Sequence, residues 1–444
     1  MIHTEYTYKN IWKVAYPIII GLIAQNLMVV IDTAFLGRLG AVSLGAAAIG
    51  GLFYLCIVML GTGFSVGVQI LIGRRNGERK YRQIGIILMH TFYVMIAIAA
   101  FAFILISLLA PSLLLNFLAS EAVYSESMAF LSYRKFGLLF GFLVMSFNAL
   151  YIGTIRTRVV SVSTIIMAVV NIVFDYGLIF GKLGMPEMGI KGAALATNIA
   201  EFSAFSFYIG YSLYRGTFKK YRIFKIWAIS KPIIKNLLRL SVPVMFQYFI
   251  SFSAWFIFFL IIEKHGEVSL AASNIARSIY MFLMIPVWGL SSAIHSLVSN
   301  TIGEGRISHV MPLVKKVIKI SVICSFCIII LPVIFPEVLI SFYTEEYNVI
   351  QATIPLIYVV SIALLAFSVG MIVFSALSGT GKTLVALKIE ILSIFLYLAF
   401  AYVFANVLKA STPVVWMVEI IYFILMGAFS GYYLLLGKWK HLKI

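Results

Sequence analysis

Long apolar runs recur along the whole 444-residue chain and constrain its fold more than any other feature. A helix needs roughly 20 mostly apolar residues to cross about 30 Å of hydrocarbon. The runs predict twelve spans, at 14–36, 46–72, 84–108, 131–154, 159–181, 191–214, 237–262, 271–299, 315–335, 352–378, 384–407 and 412–436. Runs of this length favour helices over the short alternating strands of a membrane barrel. The sequence therefore predicts an all-α membrane protein with twelve transmembrane helices.

The distribution of charge predicts the orientation in the membrane. Only 11% of the residues are charged, whereas a soluble protein carries about 25%. A net charge of +18 would suggest nucleic acid in a soluble protein, but here Lys and Arg lie between apolar runs. With a cytoplasmic N-terminus, 26 of the 34 basic residues fall on the cytoplasmic side. We predict a lipid bilayer environment, no nucleic-acid partner, no cleavable signal peptide, and both termini in the cytoplasm.

The two halves of the chain repeat at a constant offset of 226 residues. Matching pairs include Pro17 and Pro243, Gly40 and Gly266, Gly63 and Gly289, and Gly153 and Gly379. The register needs no gap from the first span to the fifth, which chance matches do not produce. We predict two six-helix lobes, 1–215 and 236–444, joined by a basic cytoplasmic linker, 216–235. Because six is even, the lobes share one orientation, and substrate is expected in the cleft between them.

Ionisable residues inside the spans are functional candidates, because burying a charge there costs at least about 2.5–3.5 kcal/mol. The only two aspartates of the chain, Asp32 and Asp175, both lie in the N-terminal lobe. The repeat pairs Asp32 with Phe258, Asn171 with Tyr397, and Asp175 with Ala401. A purely architectural residue would tend to recur in the other lobe. These polar positions therefore indicate a function specific to the N-terminal lobe.

These residues are predicted to meet at one depth in the membrane. Asn171 and Asp175 are four residues apart and share a helix face, and both aspartates lie near the outer ends of their spans. Ala193 and Thr197, also four apart, add a carbonyl and a hydroxyl from the next helix. Such oxygens suit Na⁺, and two carboxyls in low dielectric suit a proton carrier. The alternative is that these polar groups only hydrogen-bond between helices.

Three further residues of the N-terminal lobe are secondary candidates. Gln25 lies seven residues before Asp32 on the same face and is expected in the substrate cleft. Glu201 is either a second proton or substrate site or a structural hydrogen-bonding group. Pro17 removes a backbone hydrogen bond from the helix that carries Asp32, so ion binding is expected to shift a bent/straight equilibrium of that helix. Pro243 in the matching span supports the alternative of a shared architectural kink.

The C-terminal lobe offers other ionisable residues. Arg277 and His295 in the eighth span either face the cleft or are satisfied interior side chains. Glu419 and Glu390 lie in later spans, and Glu390 is close enough to the cytoplasmic end to snorkel.

No set of residues predicts an enzyme. Residues 376–383, A-L-S-G-T-G-K-T, look like a phosphate-binding loop, but Ala376 stands where that motif requires Gly, and the segment joins two spans. Cys324 and Cys327 form a C-x-x-C without a second ligand pair, so we expect no metal centre there. We predict no enzymatic activity and no cofactor.

Three motifs resemble those of the multidrug and toxic compound extrusion (MATE) antiporters. They are A-Y-P-(x)7-Q-(x)6-D-T-(x)3-G at Ala15–Gly37, V-N-I-V-F-D at Val170–Asp175 and M-G-I-K-G-A-A-L-A-T at Met188–Thr197. The resemblance covers the whole chain. It implies a V-shaped bundle of two pseudo-symmetric six-helix lobes that exports cationic amphipathic drugs by alternating access in exchange for Na⁺ or H⁺. It also implies a cation-coupling site at Asp32, Asn171, Asp175 and Thr197, with the carbonyl of Ala193.

The chain departs from the family in the C-terminal lobe. Some members carry acidic cation-binding residues in the seventh and tenth spans, where the closest matches here are Gln247 and the stretch Phe367–Gly370. This difference favours coupling through the N-terminal lobe and leaves Gln247 as a cleft residue. Glu201 stands where relatives often have Gln, which allows an extra protonatable group.

We therefore expect a monomeric multidrug efflux antiporter of a bacterial inner membrane, coupled to Na⁺ or H⁺. The alternative is a flippase of the same superfamily for lipid-linked oligosaccharide or peptidoglycan precursors. A flippase needs cationic cleft residues for a pyrophosphate, and this sequence offers mainly Arg277.

Overall fold

The computed structural model describes residues 6–223, 228–440 and 442, and most of these residues are helical. No β-strand occurs among them. Apolar runs become helices because only internal hydrogen bonds satisfy the backbone in lipid. The α-helices of the described chain are α1 (Tyr8–Leu39), α2 (Ala41–Gly77), α3 (Tyr81–Phe117), α4 (Glu121–Arg134), α5 (Gly137–Gly153), α6 (Thr157–Phe180), α7 (Ile190–Tyr214), α8 (Thr217–Tyr221), α9 (Lys231–Glu263), α10 (Glu267–Gly303), α11 (Val310–Ile334), α12 (Pro336–Ser341), α13 (Tyr347–Gly379), α14 (Thr383–Tyr402), α15 (Thr412–Trp416) and α16 (Val418–Leu436).

The predicted all-α fold is confirmed. Ten helical segments of the described chain are long and apolar enough to cross a membrane, and the bent pair α4 and α5 forms an eleventh. The twelfth is α7, whose 25 residues are long enough to span. Its apolar character is interrupted by Thr197, Asn198 and Glu201. The helix that fits a membrane least by composition is thus one that carries candidate site residues.

The predicted fourth span, 131–154, corresponds to two helices with a bend between them. Its first half, α4, begins already at Glu121, and α5 follows at an angle of 53° after a short break. At the break, Lys135 Nζ donates a hydrogen bond to Ser107 Oγ at 3.0 Å and lies 4.8 Å from the centre of the Phe103 ring. Both partners belong to α3. The break is therefore held by tertiary contacts that an apolar run does not reveal.

The helices pack as two units. The N-terminal unit is Ile20–Met245, and the C-terminal unit consists of Phe246–Ile444 together with the chain up to Ile19. Both α1 and α9 thus change unit partway along their length. The predicted linker, 216–235, contains α8, and its residues 224–227 lie outside the described part of the chain. The division into lobes 1–215 and 236–444 stays a prediction about the repeat.

Repeated glycines make the same close contact once in each unit. A Cβ added at Gly63 on α2 would lie 2.5 Å from Met245 Cα, and one added at Gly289 on α10 would lie 2.4 Å from Ile19 Cγ1. Met245 and Ile19 are themselves related by the 226-residue offset. These contacts bind the first half of α9 to α2 and the first half of α1 to α10. Each contact involves the last residue of α1 or α9 before that helix changes unit.

Candidate functional site

Two buried carboxyl groups face each other in the N-terminal unit. Asp32 on α1 and Asp175 on α6 are close enough to hydrogen-bond once one of them carries a proton. Asp175 is fully buried and Asp32 is half-buried. Oδ1 of Asp32 and both carboxyl oxygens of Asp175 accept no hydrogen bond from a described residue. Because ionised carboxylates only accept hydrogen bonds, the pair requires a proton or a cation to be stable.

Asn171 connects this pair to α7. Its amide Nδ2 donates to Thr197 Oγ1 at 3.4 Å, and Thr197 Oγ1 donates to the Ala193 carbonyl at 2.9 Å. Asn171 is fully buried, and its Oδ1 has no hydrogen-bond partner among the described residues. The structure therefore brings together Asp32, Asn171, Asp175, Thr197 and Ala193, with oxygens of both aspartates and of Asn171 available to a positive charge.

Glycines bring α6 and α7 together at this site. The residue after α6, Gly181, has a left-handed conformation with φ of 64°, which favours glycine at a helix C-terminus. Gly192 in the first turn of α7 lies against α6, and a Cβ there would come within 2.6 Å of the Leu178 carbonyl oxygen. The M-G-I-K-G stretch thus places Ala193 and Thr197 directly beside the α6 residues.

An ion pair that the sequence analysis did not identify lies near these residues. Arg134 at the end of α4 is 7% exposed and binds both carboxyl oxygens of Glu201 on α7, at 2.5 and 2.9 Å. The same guanidinium donates to Asn198 Oδ1 at 2.9 Å and lies 4.1 Å from the centre of the Tyr54 ring. Arg134 is also close enough to Asp32 to attract it electrostatically. Its charge is therefore part of the electrostatic environment of the carboxyl pair.

The pairing supports the structural interpretation of Glu201. A two-point contact between a guanidinium and a carboxylate fixes the orientation of both groups. Removing one member of such a buried pair leaves the other charge without compensation. The sequence shows Arg134 only as one of two basic residues inside a predicted span, because its partners lie 64 and 67 residues further along.

Gly137, the first residue of α5, leaves room for this ion pair. A Cβ there would lie 2.2 Å from Arg134 Nη1 and from Asn198 Oδ1, and 2.6 Å from Glu201 Oε2. We expect Gly137→Ala to force these groups apart and to lower the free energy of unfolding by about 1–3 kcal/mol. Thermal unfolding in detergent measures this loss. Gly210→Ala on α7, where a Cβ meets open space, is the matched control. Equal thermal unfolding midpoints for the two variants would contradict the close packing of Gly137 against the ion pair.

The other predicted cleft residues lie outside this group. Gln25 on α1 is exposed. In the C-terminal unit, Gln247 Nε2 donates to the first backbone carbonyl of α14 at 3.2 Å, and the Arg277 guanidinium lies 4.7 Å from the centre of the Phe259 ring. His295 on α10 is buried. A role of these residues in a substrate cleft stays a prediction.

The expectation that Glu390 snorkels is wrong. Its side chain is 4% exposed, and its Oε1 accepts hydrogen bonds from Ser251 and Tyr422 instead of reaching towards the cytoplasmic surface. The hydroxyl partners on α9 and α16 hold the carboxyl inside the C-terminal unit.

Pro17 and Pro243 lie at equivalent places in their helices. Each is inside its helix, and each precedes by two residues the last residue before that helix changes unit, Ile19 in α1 and Met245 in α9. The point of weakened backbone hydrogen bonding therefore coincides with the passage between units.

Comparison with known proteins identifies one family. The family model MatE matches residues 17–177 and 243–403, two segments of equal length at the 226-residue offset. The probable multidrug resistance protein NorM of Thermotoga maritima is 25% identical over 440 residues, which covers 97% of this chain and 93% of that protein. A probable multidrug resistance protein NorM of Agrobacterium fabrum is 28% identical over 340 residues, covering 76% of this chain and 73% of the relative.

Solved structures share the fold. A MOP superfamily transporter from Pyrococcus furiosus, described as having a binding pocket of reverse polarity, matches with a TM-score of 0.91 and 20% identity over 98% of this chain and 97% of its own. A structure of the Vibrio cholerae MATE transporter VcmN matches with a TM-score of 0.88 and 19% identity over 98% of each chain. At these identities the likeness establishes the architecture and not the substrate.

Proposed function

We propose, from the premise that this chain belongs to the MatE family, that it is a secondary active multidrug efflux antiporter. It exports cationic amphipathic compounds by alternating access, in exchange for Na⁺ or H⁺. The observation that carries this proposal is the facing pair Asp32 and Asp175, in which Oδ1 of Asp32 and both carboxyl oxygens of Asp175 lack a donor among the described residues. A buried membrane site that requires one added positive charge is suited to ion coupling. The multidrug resistance names of the relatives support drug export as the partner reaction.

The oxygens of the site fit both coupling ions. A sodium ion would take carboxyl oxygens of Asp32 and Asp175, the amide oxygen of Asn171, and oxygens of Thr197 and Ala193, all of them hard ligands. A proton would instead convert one carboxyl into the donor that the other lacks. Either ion removes the repulsion between two buried carboxylates. The site therefore alternates between a compact, occupied form and an unoccupied form that attracts a cation.

Ion binding is proposed to act through α1. This helix carries Asp32 and changes unit between Ile19 and Ile20, just beyond Pro17. Pro17 has no N–H to donate to the Lys13 carbonyl, which weakens the helix at that point. Neutralising Asp32 therefore shifts α1 between bent and straight forms, and this movement releases bound substrate to the outside.

We expect Pro17→Ala to slow ion-driven efflux of ethidium. Restoring one backbone hydrogen bond contributes about 1 kcal/mol, which shifts a bent/straight equilibrium about fivefold towards the straight helix. The measurement is the initial efflux rate from proteoliposomes containing equal amounts of protein. Pro243→Ala in α9 is the matched control, because the carboxyl pair lies on α1 and α6. If both variants slow efflux equally, the prolines have a shared architectural role and α1 is not the specific coupling element.

The substrate class follows from charge and surroundings. Unpaired carboxyl groups favour cations, and a site embedded among apolar helices favours compounds that also carry apolar surface. Substrate and ion then compete for the N-terminal carboxyls or for the form of α1 that each prefers. A multi-pass membrane protein of this kind is proposed to work as a monomer in a bacterial inner membrane, with both termini in the cytoplasm.

Efflux from proteoliposomes with each gradient imposed alone tests the function. We expect ethidium export to respond to an inward Na⁺ gradient or to an inward H⁺ gradient, and to vanish when both are dissipated. Dye movement that ignores both gradients would exclude antiport. Failure to move dyes, combined with rescue of a flippase-deficient strain, would instead favour the lipid-precursor flippase.

A further inference from the structure

Two glutamates lie deep in the C-terminal unit. Glu390 on α14 is 4% exposed, and Glu419 on α16 is 2% exposed. Their helices pack against each other, and side chains from the second half of α9 donate hydrogen bonds to both carboxyl groups. Neither residue has a part in the coupling described so far.

Glu419 is held by two side-chain donors from two helices. Its Oε1 accepts a hydrogen bond from Tyr397 Oη on α14 at 2.9 Å and another from Trp255 Nε1 on α9 at 3.2 Å. The rings of Tyr397 and Phe258 pack with their centres 5.6 Å apart. Aromatic side chains thus enclose the carboxyl and exclude water from it.

Glu390 is also held by side-chain donors from two helices, but one of its carboxyl oxygens has no donor among the described residues. Its Oε1 accepts from Ser251 Oγ at 2.5 Å and from Tyr422 Oη at 2.7 Å. Its Oε2 is buried without a hydrogen-bond partner among the described residues. The rings of Tyr397 and Tyr422 lie 5.4 Å apart, so they connect the two carboxyl groups through one aromatic cluster.

The internal repeat relates this cluster to the N-terminal site. At the 226-residue offset, Tyr397 corresponds to Asn171, Phe258 to Asp32 and Glu419 to Ala193. The helices correspond as well: α9, α14 and α16 take the places of α1, α6 and α7. Carboxyl groups therefore occur in both units among the same three helices, on α1 and α6 in the N-terminal unit and on α14 and α16 in the C-terminal unit.

Among the residues that the structure describes, no cationic side chain pairs with either glutamate. Among the described groups that act on them, the titratable ones are Tyr397 on α14, Tyr422 on α16 and Tyr280 on α10. Arg277 on α10 contacts the Phe259 ring instead. The neighbouring α13 and α15 face the cluster with apolar rings, Phe367 against Phe423 and Trp416 against Phe258. A buried carboxylate without a cation costs several kcal/mol, and taking up a proton removes that cost.

We propose that Glu390 and Glu419 form a second proton-binding site, placed in the C-terminal unit where the repeat puts the counterpart of the N-terminal site. The donor set selects a proton over a metal ion, because the Trp255 N–H donates a hydrogen bond and has no lone pair for a cation. Each carboxylate takes one proton from water and returns it to water. Proton binding follows from the geometry alone, whereas its use in transport rests on the proposed antiport.

Infrared difference spectroscopy on the purified protein tests the proposal directly. The spectrum is recorded as the buffer is changed from about pH 6, where ordinary carboxyl groups are already ionised, to alkaline pH. The protein carries Asp32→Asn and Asp175→Asn so that the N-terminal carboxyls do not contribute. We expect a carbonyl-stretch band of protonated carboxyl groups that disappears in alkaline buffer. Adding Glu390→Gln or Glu419→Gln should remove part of this band, and adding both should remove it. Glu337→Gln, which replaces an exposed carboxyl on α12, is the control and should leave the band unchanged.

Tyr397→Phe provides a second test if a glutamine variant does not fold. Tyr397→Phe removes the hydroxyl donor to Glu419 while keeping the ring, and should shift the band to higher frequency without removing it. The same measurement on otherwise wild-type protein avoids the double aspartate variant. A band unaffected by the glutamate substitutions, or one that is lost on adding NaCl at fixed pH, would overturn the proposal. The spectrum does not depend on transport, so loss of dye efflux with an intact band would count against the antiport and not against this site.

Discussion

Asp32→Asn and Asp175→Asn should each reduce ion-driven ethidium efflux at least about tenfold, which corresponds to about 1.4 kcal/mol of lost coupling. An amide has nearly the shape of a carboxyl but carries no negative charge and does not titrate. With one amide, the pair no longer requires an added positive charge, because the amide N–H₂ supplies the missing donor to the remaining carboxyl. The ion gradient then has no differential binding through which to act. The rate is measured in proteoliposomes against a fixed imposed gradient.

Glu126→Gln is the matched control for this prediction. Glu126 lies on α4 in the same unit and contacts the Ser43 hydroxyl at 3.2 Å, but it is not one of the candidate site residues. We expect this variant to transport at the wild-type rate. Wild-type efflux by both aspartate variants would remove Asp32 and Asp175 from the coupling reaction.

Glu201→Gln should lower the free energy of unfolding by about 3 kcal/mol or more, because it leaves the Arg134 charge buried and uncompensated. It should also slow efflux, since the unbalanced guanidinium then competes with the coupling ion for Asp32. Stability is measured as thermal unfolding in detergent, and efflux at matched protein amounts. The double variant Arg134→Gln with Glu201→Gln should recover part of the lost stability, as expected of two residues that interact directly.

The surface pair Arg75 and Glu78 provides the comparison. Its closest N–O distance is 2.7 Å, but the side chains are 18% and 22% exposed. Hydrogen bonds from Lys80 and Arg75 lower the pKa of the Glu78 carboxyl although partial burial acts to raise it. An accessible pair contributes at most about 1 kcal/mol, so Glu78→Gln should have a small effect. Equal losses for Glu201→Gln and Glu78→Gln would contradict the importance given to the buried pair.

The sequence allowed most of the fold to be predicted because lipid permits few backbone structures. Apolar runs and the 226-residue repeat were sufficient for an all-α bundle of twelve spans. The bend between α4 and α5 was not predictable, since it depends on Lys135 reaching Ser107 on another helix. The close contacts of Gly63 with Met245 and of Gly289 with Ile19, where α9 and α1 change unit, were not predictable either. The sequence shows Gly63 and Gly289 as a repeated pair, but it does not show which residues they contact.

Part of the candidate site could likewise be predicted from the sequence, and part of it could not. Asn171 and Asp175, or Ala193 and Thr197, share a helix face by their spacing of four, so their grouping follows from helix geometry. The partners of Arg134 lie far along the chain, and neither spacing nor hydropathy connects them. Glu390 was misjudged because depth in a span was its only sequence signal, whereas Ser251 and Tyr422 determine its position.

Substrate-driven ion movement is the most direct test of antiport through the N-terminal carboxyls. Proteoliposomes with no initial ion gradient receive an ethidium gradient, and internal Na⁺ and pH are followed with indicator dyes. We predict that downhill ethidium movement drives Na⁺ or H⁺ uphill in the opposite direction in the wild type, and that Asp32→Asn with Asp175→Asn abolishes this ion flux. An equal ion flux in that double variant, or ethidium movement in the wild type with no ion flux at all, would contradict it.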